Sequence, residues 1–328
     1  MDGKDREKLD VKDRKILYQL DLDSRQPVSL TAKKVGLSKQ AADYRIKQLL
    51  KKGVISGFYT VTSSAKLGYT QYKIYLRLGS ISAEEEKELI DYLVKHPKTI
   101  FVVSIIGKYD LIIGIAARNP QEFRKYLEEI QKKYGKYFMA FDVITNIEVY
   151  EFNKEYLDPK PGRRKMFTII GKPAKEELDE LGYRILEQLA YDVRKSNREI
   201  AKALKISPET ARQRIKEMIE TGVIESFRYW FNHEKVPWVW YKIALHLKEM
   251  SEETERKIIS YCRGDPRILC YLHCIGPWDA DLELEVTDVV ELNEILRDFR
   301  RQFKDVIKDY DPLLLYRTYK YGYIPLRA

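Results

Sequence analysis

Apolar residues at the start of the chain recur with the spacing of short amphipathic helices. Residues 9–20 form the first predicted helix, and its apolar positions share one face: Leu9, Val11, Ile16, Leu17 and Leu20. Ser29 is placed to cap a second helix, and Ser38 follows a tight turn and is placed to cap a third helix at 39–52. Three short helices joined in this way are typical of a helix-turn-helix unit.

The third predicted helix turns one face inward, where Ala42, Ile46, Leu49 and Leu50 lie, and leaves the other to solvent. Side chains on its outward side are of the types that bond to base edges or phosphates. We therefore predict DNA contacts from Lys39, Gln40, Asp43, Tyr44, Arg45, Lys47 and Lys51. Arg45 is also a candidate for stabilising the helix bundle.

A strand-like pattern follows the helices. Two predicted helices would cover one face of the resulting sheet and leave the other face in need of a partner. The predicted elements, in the order βαββαβ after a short first strand at 54–59, are a strand at 71–78, a helix at 83–95, strands at 99–106 and 111–116, a helix at 121–134 and a strand at 141–152.

The whole pattern occurs twice, at the constant offset of 169 residues that separates Leu9 from Leu178. Matching stretches include Leu9-Asp10 with Leu178-Asp179, Gly53-Val54-Ile55 with Gly222-Val223-Ile224, and Ile106-Gly107 with Ile275-Gly276. The chain is therefore predicted to be a fused pseudo-dimer in which the two sheets supply a partner to each other. The second copy's DNA-contact candidates are Arg212, Gln213 and Lys216.

The predicted fold class is α+β, with helix-turn-helix domains alternating with βαββαβ domains. The expected domains are 1–60 and 61–152 in the first copy, a linker at 153–177, and 178–229 and 230–328 in the second copy. The linker contains a basic, Pro/Gly-rich run at 158–165, for which a phosphate-contacting arm and a solvated joint are both open readings. Residues 166–170 are apolar enough to add a strand to a sheet.

Charge distinguishes the two copies. The chain carries a formal net charge of +9, which favours an anionic partner, with nucleic acid before a membrane surface. Residues 1–60 contain 14 Lys+Arg and 8 Asp+Glu, a balance of +6, whereas the matching span 172–231 contains 12 and 11, a balance of +1. Because phosphate neutralisation supplies most non-specific affinity, we expect the first helix-turn-helix to be the main DNA reader.

Several protein classes are disfavoured. No apolar run approaches membrane-spanning length, and the charged start predicts a cytoplasmic protein without a secretory signal. Cys262, Cys270 and Cys274 are interpreted as buried thiols rather than disulfide or zinc residues. Phosphate-binding loops, dinucleotide fingerprints and nucleophile elbows are absent from the sequence. Its Lys, Glu and Tyr content is typical of a thermophile.

The order helix-turn-helix then βαββαβ, together with Ile106-Gly107-x-Tyr109-Asp110 before an apolar strand, resembles the Lrp/AsnC feast-or-famine regulators over nearly all of the chain, twice. The resemblance implies two winged-helix-like DNA-binding domains and two ligand-sensing RAM domains of the ferredoxin-like βαββαβ type. It also implies dimerisation through the sheets, higher assemblies that wrap or bend DNA, and a response to amino acids.

The same resemblance implies that an effector pocket lies near the turn between the second and third RAM strands. Its candidate residues here are Gly107, Tyr109 and Asp110, with Thr145 on the last strand. A structural alternative stays open, in which Gly107 adopts a positive φ and Asp110 bonds to the backbone of the turn. In the second copy Trp278 replaces Tyr109, a change that would fill or reshape such a pocket.

The function predicted from these features is a sequence-specific transcription regulator that is not an enzyme and uses no cofactor or metal. Its predicted partners are double-stranded DNA, a small effector such as an amino acid, basal transcription factors and a second copy of the tandem chain. Two alternatives remain: a protein-docking co-regulator, and a tetrapyrrole-binding siroheme decarboxylase, since tandem Lrp-like proteins include such enzymes. His273 is the residue that the second alternative would use.

Overall fold

The computed structural model describes residues 6–158, 160, 164–170, 178–190 and 192–324. The first copy comprises α1 (Val11–Leu22), α2 (Val28–Val35), α3 (Lys39–Lys51), β1 (Ile55–Thr62), β2 (Thr70–Leu78), α4 (Ala83–Lys95), β3 (Thr99–Ile106), β4 (Leu111–Ala117), α5 (Pro120–Tyr134) and β5 (Phe138–Phe152). Next comes β6 (Met166–Ile170). The second copy comprises α6 (Glu180–Leu189), α7 (Asn197–Leu204), α8 (Pro208–Glu220), β7 (Ile224–Phe231), β8 (Val239–Leu247), α9 (Glu252–Gly264), β9 (Ile268–Ile275), β10 (Ala280–Val286), α10 (Val289–Gln302) and β11 (Ile307–Tyr321).

These elements confirm the predicted α+β class and the order within each copy. One predicted helix cap and two predicted inward positions were wrong. Ser29 does not cap α2, which begins one residue earlier behind Pro27 and has no side-chain cap. Val11 and Leu50 are exposed rather than inward: Val11 is the first residue of α1, and Leu50 lies beside the buried Leu49 but on the solvent side of α3. The predicted boundaries at 60 and 229 fall within β1 and β7.

The two helix-turn-helix units are joined by their strands. β1 pairs antiparallel with β7, so that Phe58 lies opposite Tyr229 and Thr60 opposite Phe227. The core of the first unit, built on Ile16, Leu17 and Leu20, also includes Tyr229 from the second copy. Each unit is thus completed by a strand from the other half, and the two units form one layer.

The two βαββαβ sheets join into a closed barrel. Its strands run β2-β4-β3-β11-β8-β10-β9-β5, and β5 pairs with β2 to close the ring, while β6 extends it beside β5. The junctions between the copies are β3 with β11 and β5 with β9. This arrangement confirms that each sheet supplies the partner of the other, and it leaves none of these eight strands as an open edge.

Side chains on the barrel strands alternate between the outer helices and the interior. On β8, Ile243 and Leu245 pack against α9 and α10, whereas Lys242 points inside. There its Nζ lies 3.0 Å from the Asp281 carboxylate and 2.6 Å from that of Glu283. Lys73 of the first copy joins the cluster, 3.6 Å from Glu283, so the interior is partly ionic and these ions contribute to the contacts between the copies.

The predicted linker is partly built into the fold. β6 pairs with β5, which confirms the predicted strand at 166–170. Arg164 is buried, and its guanidinium donates to the carbonyls of Cys262, Arg263 and Asp265 at the end of α9 and of Ile268 at the start of β9. Arg164 is consequently no phosphate-contacting arm, because its donors are used inside the protein. Pro159, Pro161, Gly162 and Arg163 lie outside the described residues.

The three cysteines are free and buried, as predicted. Burial raises the pKa of the Cys270 and Cys274 thiols, which keeps both protonated. Every helix in the described part of the chain is too short or too polar to cross a membrane.

Candidate nucleic-acid interface

The third helix of the first unit, α3, is positioned by a short turn. Gly36 ends α2 with a φ of 66°, a backbone conformation that glycine adopts at little cost. Ser38 then caps α3, and its hydroxyl accepts a hydrogen bond from the Ala41 amide at 3.1 Å, as predicted. With Ala42 and Ile46 buried, the opposite face of α3 is presented to solvent.

Five of the seven predicted contact residues on α3 are exposed on this face: Lys39, Gln40, Tyr44, Lys47 and Lys51. Lys47 is 2.7 Å from the half-buried Asp43 on the same helix, an exposed pair that solvent and salt screen strongly. Within the part of the chain that the structure describes, Lys39 and Lys51 have no ion-pair partner. Their ammonium groups are therefore available to an anionic partner.

Arg45 has a different role from the other α3 candidates. Its guanidinium bonds to Asp10 at 2.8 Å and to Asp13 at 2.7 Å, which ties α3 to the first turn of α1. The hydrogen bonds that the guanidinium donates to these two carboxylates raise the Arg45 pKa. These contacts agree with the bundle-stabilising alternative, and DNA contact by Arg45 stays a prediction.

The matching helix of the second unit, α8, exposes its predicted residues but pairs each one on its own surface. Arg212 is 2.5 Å from Glu209, Gln213 donates to Glu217 at 3.2 Å, and Lys216 is 3.6 Å from Glu220. A DNA phosphate would have to compete with these neighbouring carboxylates for the two cations. The described face of α8 is therefore nearly neutral, in contrast to α3.

The predicted effector turn of the first copy is held by contacts within the protein. Gly107 has a φ of 147°, and a Cβ there would lie 2.9 Å from the Leu313 side chain on β11. Asp110 accepts a hydrogen bond from the Leu78 amide at 2.8 Å. The positive φ of Gly107 matches the structural alternative left open by the sequence. Asp110 instead bonds to the backbone at the end of β2, which ties the turn to that strand.

Tyr109 is buried, and its hydroxyl donates to Asp142. Its second-copy equivalent Trp278 is also buried, donates to Asp281 at 2.7 Å, and has its ring centroid 6.3 Å from that of Tyr109. Thr145 is half-buried on β5, where that strand changes partner from β2 to β9. The side chains of the two turns thus fill the space between the copies at this end of the barrel.

A buried ionic network was missed by sequence reasoning. Arg228 on β7 is 2.5 Å from Asp21 of α1 and 2.7 Å from Glu151 of β5, and Lys154 is 2.6 Å from Glu285. One signal was readable in the sequence: Asp281, Glu283 and Glu285 alternate along a strand whose intervening residues are apolar. Such spacing puts three carboxylates on one face of β10. Among the described residues, no group of three His, Cys, Asp or Glu side chains could hold a metal ion.

Comparison with known proteins places both helical units in one family. The profile of the winged helix-turn-helix DNA-binding family matches residues 9–56 and 178–225. The HTH-type transcriptional regulator FL11 of Pyrococcus furiosus is 31% identical over 122 residues, covering 37% of this chain and 80% of that protein. The regulator AldR of Mycolicibacterium smegmatis is 34% identical over 122 residues, covering 37% of this chain and 71% of that protein.

Among solved structures, the siroheme decarboxylase NirDL covers 97% of this chain and 94% of its own, with a TM-score of 0.60 and 15% sequence identity. At that identity the likeness shows a shared fold, extending over both copies. The sequence relatives, the two matched helix-turn-helix units and their βαββαβ partners agree with one another. The chain belongs to the Lrp/AsnC family of helix-turn-helix transcription regulators, in a tandem form that carries two such units.

Proposed function

We propose that the protein regulates transcription by binding a specific double-stranded DNA sequence, with α3 as the main reader. The observation that carries this proposal is the difference between the two exposed helices. α3 presents Lys39 and Lys51 without ion-pair partners among the described residues, whereas Arg212 and Lys216 of α8 each have a neighbouring glutamate. Only the first helix offers cations that gain a partner on meeting phosphate.

The side chains of α3 divide by the chemistry that they can offer to DNA. Lys39 and Lys51, near the two ends of the helix, suit phosphates on either side of the major groove. Gln40 and Lys47 can donate to base edges, and glutamine pairs with adenine through two hydrogen bonds. Tyr44, exposed between them, offers an apolar ring and a hydroxyl. A helix with this distribution can be positioned by phosphates and select sequence by bases.

The pairing of β1 with β7 joins both readers in one layer, so their separation is set within one chain. A symmetric homodimer reads two equal half-sites, because its two readers are identical. Here one reader is basic and the other nearly neutral. We infer an asymmetric operator, with one strongly specified half-site and a weaker one at a constant distance.

The neutral face of α8 suits a second role in contacting a protein such as a basal transcription factor.

We also propose that two tandem chains associate, since Ile106 and its equivalent Ile275 are both exposed at the ends of barrel strands. An amino-acid effector at the 107–110 turn stays a prediction of the family resemblance. Tyr109 and Asp110 form their contacts within the protein, so these contacts give no further support to an effector site there.

The dimensions of the barrel interior argue against a tetrapyrrole held inside the barrel. The two cavities described there measure about 50 and 40 Å³, whereas drug-sized ligands occupy about 300–1,000 Å³. His273 is directed towards the outer helix α9, where its Nδ1 lies 3.1 Å from Glu255. Titration with iron-uroporphyrin or siroheme, followed by visible absorption, tests this directly: a saturable spectral change that disappears in His273→Ala would favour the enzyme.

The main test is binding of the purified full chain to fragmented genomic DNA of its source, read by sequencing at near-physiological salt. We expect a few sharp peaks that share one asymmetric motif. Peaks with a palindromic motif would contradict the division of labour between α3 and α8. Absence of enrichment would contradict sequence-specific binding altogether.

A further inference from the structure

The exposed cations of the second helix-turn-helix unit differ between α7 and α8. Arg198, Lys202 and Lys205 are exposed, and no ion-pair partner of theirs lies among the described residues. Residues 194–205 contain five Lys+Arg and one Glu, a balance of +4, whereas α8 contains three of each sign. The positive charge that this unit offers to a partner therefore lies before α8 and not on it.

The three cations form a row along α7. Arg198 and Lys202 lie one helical turn apart. Ile200 and Leu204 are buried on the opposite side, and Lys205 is the C-cap residue. From Arg198 to Lys205 the row spans about 10 Å at the rise of an α-helix. Each strand of a DNA duplex carries about three phosphates over that length, so the row matches the spacing of a phosphate backbone.

Lys205 has a backbone conformation that its side chain disfavours. Its φ is 56°, and in the described part of the chain it is the single non-glycine residue with a positive φ. The first-copy equivalent is Gly36, with a φ of 66°. Left-handed backbone is unfavourable for a residue with a Cβ, so glycine would suit this turn better. A lysine here is explained by what its ammonium group contacts outside the unit.

The first copy holds a lysine on the inner side of the same turn. There Lys12 of α1 donates to the carbonyls of Val35 and Gly36 at 2.6 and 3.2 Å, so its ammonium group is used within the unit. The second-copy equivalent of Lys12 is Leu181. The second unit thus lacks the inner cation of this turn and carries an outer one instead.

The remaining two cations of the row can be compared in the same way. Arg198 corresponds to Ser29 of the first copy, and Lys202 corresponds to Lys33. Two of the three cations are therefore absent from the first copy, which forms the same three helices without them. The helix-turn-helix fold does not require the row.

The row begins at the contact between the two units. Arg25 of the first unit donates to the side-chain oxygen of Asn197 at 2.7 Å, and Asn197 is the first residue of α7. Arg198 follows directly, so the row starts where the unit that carries α3 meets the second unit. This position favours DNA over an acidic protein as the partner, because a duplex seated on α3 has to cross that junction to reach the second unit.

We propose that the second unit holds the DNA backbone through Arg198, Lys202 and Lys205 of the α7 row, while α8 contributes little to the choice of sequence. The inference rests on the proposed DNA-binding function and names how the weaker half-site is held. Contacts to phosphates carry no base information, so the row adds affinity for any sequence at that half-site.

The test compares the full chain and its variants by fluorescence anisotropy on two duplexes of equal length, one carrying the operator and one unrelated. Arg198→Ala and Lys202→Ala should each flatten the salt slope by about one on both duplexes. Each should also weaken binding about fivefold at 0.15 M salt, the factor that corresponds to a slope of about 0.9 per phosphate.

Lys205→Gly separates a lost contact from a damaged fold. It introduces the residue of the first unit, removes the charge and relieves the left-handed backbone. We expect the same loss of DNA affinity as for Arg198→Ala, together with an unfolding midpoint equal to or above that of the original protein. Lys125→Ala is the matched control, since Lys125 is exposed on α5 and also has no ion-pair partner among the described residues. It should leave affinity, salt slope and midpoint unchanged.

The outcomes distinguish this inference from the function on which it rests. If the original chain binds DNA and the triple variant Arg198→Ala, Lys202→Ala, Lys205→Gly binds with the same affinity and salt slope, the inference is overturned and the proposed function stands; the row would then suit an acidic protein. Losses confined to the operator duplex would also overturn it, since they would indicate base contacts. An original chain that binds neither duplex would overturn both.

Discussion

Arg25 and Arg194 occupy equivalent positions in the two copies, and each crosses to the opposite helix-turn-helix unit. Arg25 donates to the carbonyls of Val193 and Lys195 at 2.5 and 2.6 Å, and Arg194 donates to the carbonyl of Ser24 at 3.2 Å. Their guanidinium groups also lie over equivalent rings, Arg25 over Phe227 at 5.7 Å and Arg194 over Phe58 at 5.6 Å. This reciprocal exchange holds the two units together beside the β1–β7 strand pair.

Replacing either arginine should loosen this contact, and the two changes should differ in size. Arg25→Ala removes three hydrogen bonds, including one to Asn197, and should lower the free energy of unfolding by about 2 kcal/mol. Arg194→Ala removes one long bond and should cost about 1 kcal/mol. Urea denaturation of the two variants measures both losses. A larger loss from Arg194→Ala would refute the ranking.

Lys39 and Lys51 should govern the electrostatic part of DNA binding. Because each phosphate contact contributes about one unit to the salt slope, Lys39→Ala or Lys51→Ala should weaken binding and flatten the slope by about one. Arg212→Ala and Lys216→Ala should change both quantities much less, since glutamates on α8 already neutralise these cations. Fluorescence anisotropy at several salt concentrations provides the measurement. Equal losses from the two helices would contradict α3 as the main reader.

Arg45→Ala serves as a contrast to these lysine variants. It removes the contacts to Asp10 and Asp13 and should act by destabilising the first unit. A lower unfolding midpoint should therefore accompany any loss of DNA affinity, whereas Lys39→Ala should leave the midpoint unchanged.

Acid should destabilise the protein partly through Glu285. Burial by itself raises the pKa of this carboxyl, but the Lys154 ammonium and His233 outweigh burial and lower it to about 2, from the ordinary 4.5. A carboxyl with a lowered folded-state pKa stabilises the fold above the unfolded-state pKa. This contribution, about 3 kcal/mol at most, is lost as the pH falls from about 4.5 towards 2.

Glu285→Gln should therefore be less stable at neutral pH, and its unfolding free energy should fall less steeply through that acidic range. Glu252→Gln, at an exposed position on α9, is the control and should keep the slope of the original protein. A Glu285→Gln variant with an unchanged slope would show that the ionic network does not set the acid sensitivity.

Arg164 should be essential to the second RAM unit despite its position in the predicted linker. Arg164→Ala leaves the carbonyls at the end of α9 without their buried donor, and should cost about 3 kcal/mol or more. Lys165→Ala, at the exposed neighbouring residue, should be nearly neutral. Thermal unfolding followed by circular dichroism compares the two. Equal midpoints for the two variants would show that Arg164 is dispensable.

Much of the local structure was predictable because its causes are local. The strands at 99–106 and 166–170 and the helix at 83–95 have the predicted bounds, since their periodicity and flanking residues lie within one segment. Ser38 could be recognised as a cap because its bonding partner is three residues away. Arg45 shows the limit of this reasoning. Its position on an outward turn of α3 predicted DNA contact, while its partners lie about thirty residues earlier in sequence.

The sequence by itself determined the duplication, the element order, the helix-turn-helix units and the need of each sheet for a partner, because repeats and periodicity are properties of order along the chain. Only the tertiary structure decided that the sheets close into a barrel, that Arg228 joins Asp21 to Glu151, and that Arg164 is buried against the end of α9. These features arise from contacts between residues far apart in sequence, whose pairing depends on the register and twist of strands from both copies.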